Sequence, residues 1–178
     1  MNWHAERRLF LVALGILAAD QATKLLVSWK LPFHEEYVLL EGLFKFVHWG
    51  NTGAAWSLLQ GNNLLLAIIS GAALLALFLY RRHFGTETTR GQIAVGLLFG
   101  GIIGNLIDRL RVDHVIDFLR FYVRRRESGT EIGFPAFNIA DSAICVGVGL
   151  LFLMSWQENG KPVKDTDTAA APPVEKAK

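Results

Sequence analysis

Four apolar runs divide the chain: Leu9–Val27, Leu64–Tyr80, Ile93–Ile107 and Ile139–Trp156. A helix that crosses a bilayer needs about 20 mostly apolar residues, with a range of about 17–25. Three runs meet that length as they stand, and the third does so if it extends through Gly91 and Asp108. The pattern predicts four membrane helices, at about 9–28, 64–80, 92–109 and 139–156. The first follows Arg7 and Arg8 as a secretory leader would. However, Leu17 sits where cleavage after Ala19 would need a small residue, so the run reads as a retained span. The segment between the first two runs carries two strand-like stretches, Tyr37–Leu40 and Phe44–Trp49, separated by Glu41–Gly42 in the manner of a hairpin. Asn51–Leu59 then reads as a short amphipathic helix or re-entrant turn. After the third run, Leu119–Pro135 holds Phe121, Tyr122 and Val123, three arginines and a turn at Glu127–Thr130.

In an up-down-up-down bundle both of these segments emerge on one face. The expected architecture is therefore an all-α membrane bundle of four helices. A small β-rich cap lies on one membrane surface, with Trp29, Trp49 and Trp56 as interfacial anchors. From Glu158 onward the chain is Lys, Asp, Thr, Ala and Pro, which predicts one membrane domain over 1–157 and a disordered tail over 158–178.

Composition agrees with the pattern. Hydrophobic residues make up 52% of the chain and charged ones 19%, with mean hydropathy +0.31, a balance that suits a small polytopic membrane protein. The net charge is only +2, and no basic stripe interleaves with aromatics, which argues against nucleic acid as a partner. Cys145 is the single cysteine, so no internal disulfide can form, and its apolar surroundings suggest packing. The count of Lys and Arg is level between the two sides of the bundle, so loop charge does not orient it; Arg7 and Arg8 lean toward cytoplasmic termini.

The polar residues inside and beside the runs gather at one end. Asp20 and Lys24 lie near the end of the first helix, Asn105, Asp108 and Arg109 end the third, Asp117 follows it, and Asn138 and Asp141 start the fourth. Each has an ordinary reading. Asp20 and Lys24 are spaced to pair along one helix. Arg109 can neutralise Asp108. Asn138 and Asp141 form the N-x-x-D pattern of a helix start. Gly96, Gly100 and Gly104 make a ridge for close helix packing.

The sharper reading joins Asp117 and Asp141 as a catalytic pair. An ionisable residue within a membrane helix costs about 2.5–3.5 kcal/mol on insertion scales and so tends to mark function. Two carboxylates about 4 Å apart at an effective dielectric near 20 repel by about 4 kcal/mol, or about three pK units. Such a pair shares one proton near neutral pH: one member takes a proton from water while the other donates to the attacked carbonyl. The five histidines show no ligand spacing, so neither a metal nor another cofactor is signalled. Two other classes remain open. An ion- or proton-coupled carrier would also place carboxylates in a membrane, but its polar residues should line a path through the bundle. A structural subunit would explain the glycine ridge but not the carboxylates.

At these residues the chain resembles the bacterial lipoprotein signal peptidases, or signal peptidase II. The resemblance spans about residues 9–156 and rests on ordered blocks: DQATK at 20–24, NTGAAW at 51–56, GGIIGNLIDR at 100–109, VIDF at 115–118 and FNIAD at 137–141. It implies an intramembrane aspartyl endopeptidase of the bacterial inner membrane. That enzyme has both termini cytoplasmic and its active site toward the periplasmic leaflet. Its substrate would be a diacylglyceryl-modified prolipoprotein, cut on the amino side of the lipidated cysteine. It would work as a monomer among membrane phospholipids, without a cofactor. The motifs imply Asp117 and Asp141 as the catalytic pair, with Asn51, Gly53, Asn105, Asp108, Arg109 and Asn138 shaping the site. Asp20 and Lys24 match a supporting pair. The segment Arg120–Pro135 is longer than the family's usual connection and the C-terminal tail is additional; neither touches a motif residue.

Overall fold

The computed structural model describes residues 3–53, 58–125 and 129–159. The centre of the expected amphipathic segment, Trp56, the tip of the second loop and nearly all of the tail lie outside the described residues. Four helices are long and apolar enough to cross a membrane: α1 (Trp3–Lys30), α2 (Asn63–Tyr80), α3 (Thr89–Val112) and α4 (Ile139–Asn159). The third is longer than its apolar run. The Thr88 hydroxyl caps it by accepting from Gly91 N–H at 3.0 Å, and it runs through Asp108 and Arg109. It stops where Asp113 turns left-handed at φ 62°. α4 likewise continues past the expected start of the tail.

α3 occupies the middle of the bundle, and its glycines explain how. A β-carbon on Gly96 or Gly100 would meet the α1 carbonyls of Leu9 or Ala13 at 2.8 and 2.7 Å. One on Gly101 would meet Ala140 O of α4 at 2.5 Å. The glycine ridge thus lets α3 approach two neighbours at backbone distance. An apolar cluster of Leu9, Leu77, Val95 and Leu98 closes the other end of the bundle. α1, α2 and α4 turn Phe10, Leu14, Ile68 and Phe152 outward, as a hydrocarbon solvent requires. Cys145 also lies exposed on α4, which corrects the expectation that it packs inside.

The remaining chain forms one four-stranded antiparallel sheet in the order β1 (Glu36–Leu40), β2 (Phe44–Asn51), β3 (Val115–Arg124), β4 (Glu131–Gly133). The β1–β2 hairpin falls where its alternation placed it, with Gly42 at φ 72° in the turn. β3 differs from expectation. It starts just after α3, so Asp117 is a strand residue and not part of a loop. Lys45, inside the second strand-like stretch, is 1% exposed. Its ammonium lies 2.5 Å from Glu36, 2.6 Å from Glu131 and over the Tyr122 ring, so it ties β1 and β4 to the middle of the sheet.

Candidate functional site

The polar residues of α1, α3, β3 and α4 meet where the sheet joins the bundle. Asn138 stands at the start of α4. Its side-chain oxygen accepts from Asp141 N–H at 2.8 Å, while its own N–H donates to Asp141 Oδ2 at 3.2 Å. This is a reciprocal capping box, as the N-x-x-D spacing predicts. The Asn138 amide also donates to Asp117 Oδ1 at 2.9 Å, with Ile116 O and Asn105 Oδ1 each at 3.2 Å. The helix-cap reading and the site reading are therefore one geometry. A single asparagine holds both carboxylates.

Two further contacts fix the pair. Phe137 forms an isolated bridge with Leu119, its N–H donating at 3.0 Å and its carbonyl accepting at 2.9 Å. That bridge carries the start of α4 along β3 to Asp117. On the far side, Asn105 of α3 donates to Asp141 Oδ1 at 2.7 Å, and Asn51 of β2 donates to Asp117 Oδ2 at 3.0 Å. Asp117 is buried, whereas Asp141 is partly exposed. Burial and the nearby Asp141 charge push the Asp117 carboxyl up to about 8, against the pull of its two asparagine donors and the Lys24 charge.

Beneath the pair lies a buried charge cluster. Lys24 Nζ is 2.7 Å from Asp108, 2.9 Å from Asp20 and 3.0 Å from Asn105 Oδ1, with Lys24, Asp20 and Asp108 all fully buried. Asp20 also accepts from Ala140 N–H at 3.0 Å, and Asp108 from Ile116 N–H at 3.2 Å. One lysine thus anchors the first turn of α4 and the first residues of β3 to α1. The expected Asp20–Lys24 pair forms. Asp108 pairs with Lys24 of α1 and not with Arg109, because successive residues on one helix do not face each other.

Arg109 turns instead to the loop after β2, donating to Gly53 O at 3.2 Å and more weakly to Asn105 O at 3.4 Å. Its buried Nε has no partner among the described residues. Asn51 Oδ1 accepts from Gly53 N–H at 2.9 Å, so Asn51, Gly53 and Arg109 form one side of the site. All ten sequence-predicted residues are thereby brought into one connected network. Gln21 was missed. Its amide reaches Asp20, Gly104 O and Asp108 at 3.1–3.2 Å; its signals were an amide inside an apolar run and its place in the DQATK block. Asn63 was also missed; it donates to Arg109 O at 2.9 Å from the start of α2. Among the described residues no three His, Cys, Asp or Glu side chains are placed to hold a metal ion.

The family model described as signal peptidase (SPase) II matches residues 12–157. A lipoprotein signal peptidase of Bacillus subtilis is 36% identical over 160 residues, covering 88% of this chain and 97% of its own. One from Desulforapulum autotrophicum is 41% identical over 156 residues, covering 83% and 91%. A solved structure described as a bacterial membrane enzyme superposes with TM-score 0.75 at 29% identity, over 86% of this chain and 92% of that one.

Proposed function

This chain belongs to the signal peptidase II family, and from that premise we propose that it removes prolipoprotein signal peptides by a two-aspartate mechanism. The observation that carries the mechanism is the asparagine bridge: Asn138 binds Asp117 through its side chain and Asp141 through its backbone. Burial and the nearby Asp141 charge push Asp117 up to about 8, so the pair holds one proton at neutral pH. We assign it to Asp117, the more buried member, and leave the partly exposed Asp141 to meet the water. Asp141 is the carboxylate that takes a proton from the attacking water. Asp117 donates to the carbonyl oxygen of the scissile peptide, giving a tetrahedral diol. Collapse of the diol passes a proton to the leaving amine, and the net change is addition of one water across the peptide bond.

The surrounding residues set the geometry. Asn51, Asn105 and Asn138 orient the two carboxyls, and Lys24 with Asp20 and Asp108 locks the elements that bear them. Arg109, bound to Gly53 O and with its Nε unpaired among the described residues, is the donor to meet a substrate carbonyl. The sheet is the cap on the outer membrane surface. The substrate's cysteine carries a diacylglyceryl group, whose acyl chains stay in the leaflet while the scissile bond reaches the pair. The enzyme acts as a monomer among phospholipids of the inner membrane.

The test is cleavage of a diacylglyceryl-modified prolipoprotein by the purified protein. Wild type should cleave, and Asp117→Asn and Asp141→Asn should each lose at least about a thousandfold in kcat, since neither amide can exchange the required proton. Near-normal activity in either variant sinks the two-aspartate mechanism. An inert wild type sinks the substrate assignment.

A further inference from the structure

His48 lies outside the network above, yet it sits where β2 changes register. Phe46 pairs with Leu119, but Trp49 pairs with Asp117, so β2 contains one residue more than β3 across this interval. Val47 and His48 together oppose Phe118, and all three are buried. This is a β-bulge, and a one-residue change of register moves every later side chain to the other face of a sheet. Had the Phe46–Leu119 register continued, Asn51 would fall opposite His114 with its side chain on the face away from Asp117. In the bulged register Asn51 pairs with Val115 and its amide reaches Asp117 Oδ2 at 3.0 Å.

The bulge is held from α1 and the linker that follows it, not from β3. His48 N–H donates to Glu35 O at 3.1 Å, and His48 O accepts from His34 N–H at 2.9 Å. His48 is 8% exposed, with Nδ1 2.8 Å from Leu31 O and Nε2 3.4 Å from the Ser28 hydroxyl. Phe33 packs edge-on against it. A backbone carbonyl can only accept, so the ring is the tautomer that donates from Nδ1.

We propose that His48 is a positioning residue for the reaction: its Nδ1–H bond to Leu31 pins the bulge whose register delivers Asn51 to Asp117. The inference rests on the two-aspartate reading. It uses no contact between His48 and substrate, and its effect passes entirely through Asn51.

The test compares His48→Phe, His48→Asn and His48→Gln with wild type in the prolipoprotein cleavage assay, each also in an Asn51→Ala background. His48→Phe keeps the ring's volume and loses its donor, and should lower kcat about tenfold or more with KM within about twofold. The Asn amide nitrogen sits where Nδ1 does and should restore kcat to within about threefold of wild type; the longer Gln should not. In the Asn51→Ala background, His48→Phe should cost less than about twofold further, because the contact it supports is already gone. Wild-type kcat in His48→Phe, a better rescue by Gln than by Asn, or an undiminished loss in the Asn51→Ala background each overturns the inference. If His48→Phe does not fold, the order of Asn and Gln decides. An inactive Asp117→Asn beside a fully active His48→Phe leaves the two-aspartate reading intact and removes only His48; an active Asp117→Asn removes both.

Discussion

Asp117 is an acid whose folded form holds its proton far longer than its unfolded form does. In the unfolded chain it ionises near its ordinary value of 3.8, while in the fold it keeps the proton to about 8. Between those limits the native state binds more protons than the unfolded state, so this group makes stability fall as pH rises from about 4 to about 8, with no further loss above. The slope it adds is at most about 1.4 kcal/mol per pH unit. Asp117→Asn has no such proton to lose. Unfolding midpoints in detergent at pH 5 and pH 8 should therefore differ more for wild type than for Asp117→Asn, and equal differences would remove the proton from Asp117. At this scale the sequence marked the residues that the fold gathers into one network, since a carboxylate or amide beside an apolar run is conspicuous without a fold. Their partners were not legible. Spacing on one helix offered Arg109 to Asp108, yet the ion pair formed with Lys24 of another helix, because only a packed bundle shows which side chains point inward. His48 was invisible for a similar reason: a bulge is a mismatch between two strands, and neither strand alone contains it.

Among the elements, α3 governs the site, because every other part is measured from it. Gly101 faces the backbone of α4 at the turn that bears Asp141, and a β-carbon there would meet Ala140 O at 2.5 Å. Backbone cannot step aside as a flexible side chain can. Gly101→Ala should therefore destabilise the protein by about 1–3 kcal/mol and move Asp141 away from Asn105. Gly149, on the same α4, has nothing within 4 Å of its β position, so Gly149→Ala should leave the unfolding midpoint unchanged or slightly raised. Comparing the two variants by thermal unfolding and cleavage separates close approach from the general effect of adding a methyl group; equal losses would show that the ridge does not set the packing. The four helices and the first hairpin were legible because their period or alternation is local. The early start of β3 and the Phe137–Leu119 bridge were not. Their hydrogen bonds join residues far apart in the chain, and the buried run Val115–Phe118 lacks the alternation that announces a half-exposed strand.

For the molecule as a whole, the level count of Lys and Arg left its orientation open, and burial changes that count. The rule that positive charge stays inside applies to loops and helix flanks. Lys24 lies inside α1 with its ammonium held by Asp20 and Asp108, and Arg109 is buried within α3 against Gly53. Neither belongs in the loop tally, and both lie toward the side opposite the termini. Without them the tally leans toward the side of Arg7, Arg8, Arg81, Arg82 and Arg90, which agrees with the proposal of cytoplasmic termini and a sheet, with its carboxylate pair, on the outer face. That proposed arrangement also suits the proposed substrate, whose acyl chains would enter from the outer leaflet and need not cross the bilayer to bring the scissile bond to Asp117. An alkaline phosphatase fused after Asn159 should then be inactive, because it stays in the reducing cytoplasm, and the same reporter inserted at Gly129 in the β3–β4 turn should be active. The reverse pattern would put the pair on the cytoplasmic side, where a lipidated cysteine held in the outer leaflet could not reach it.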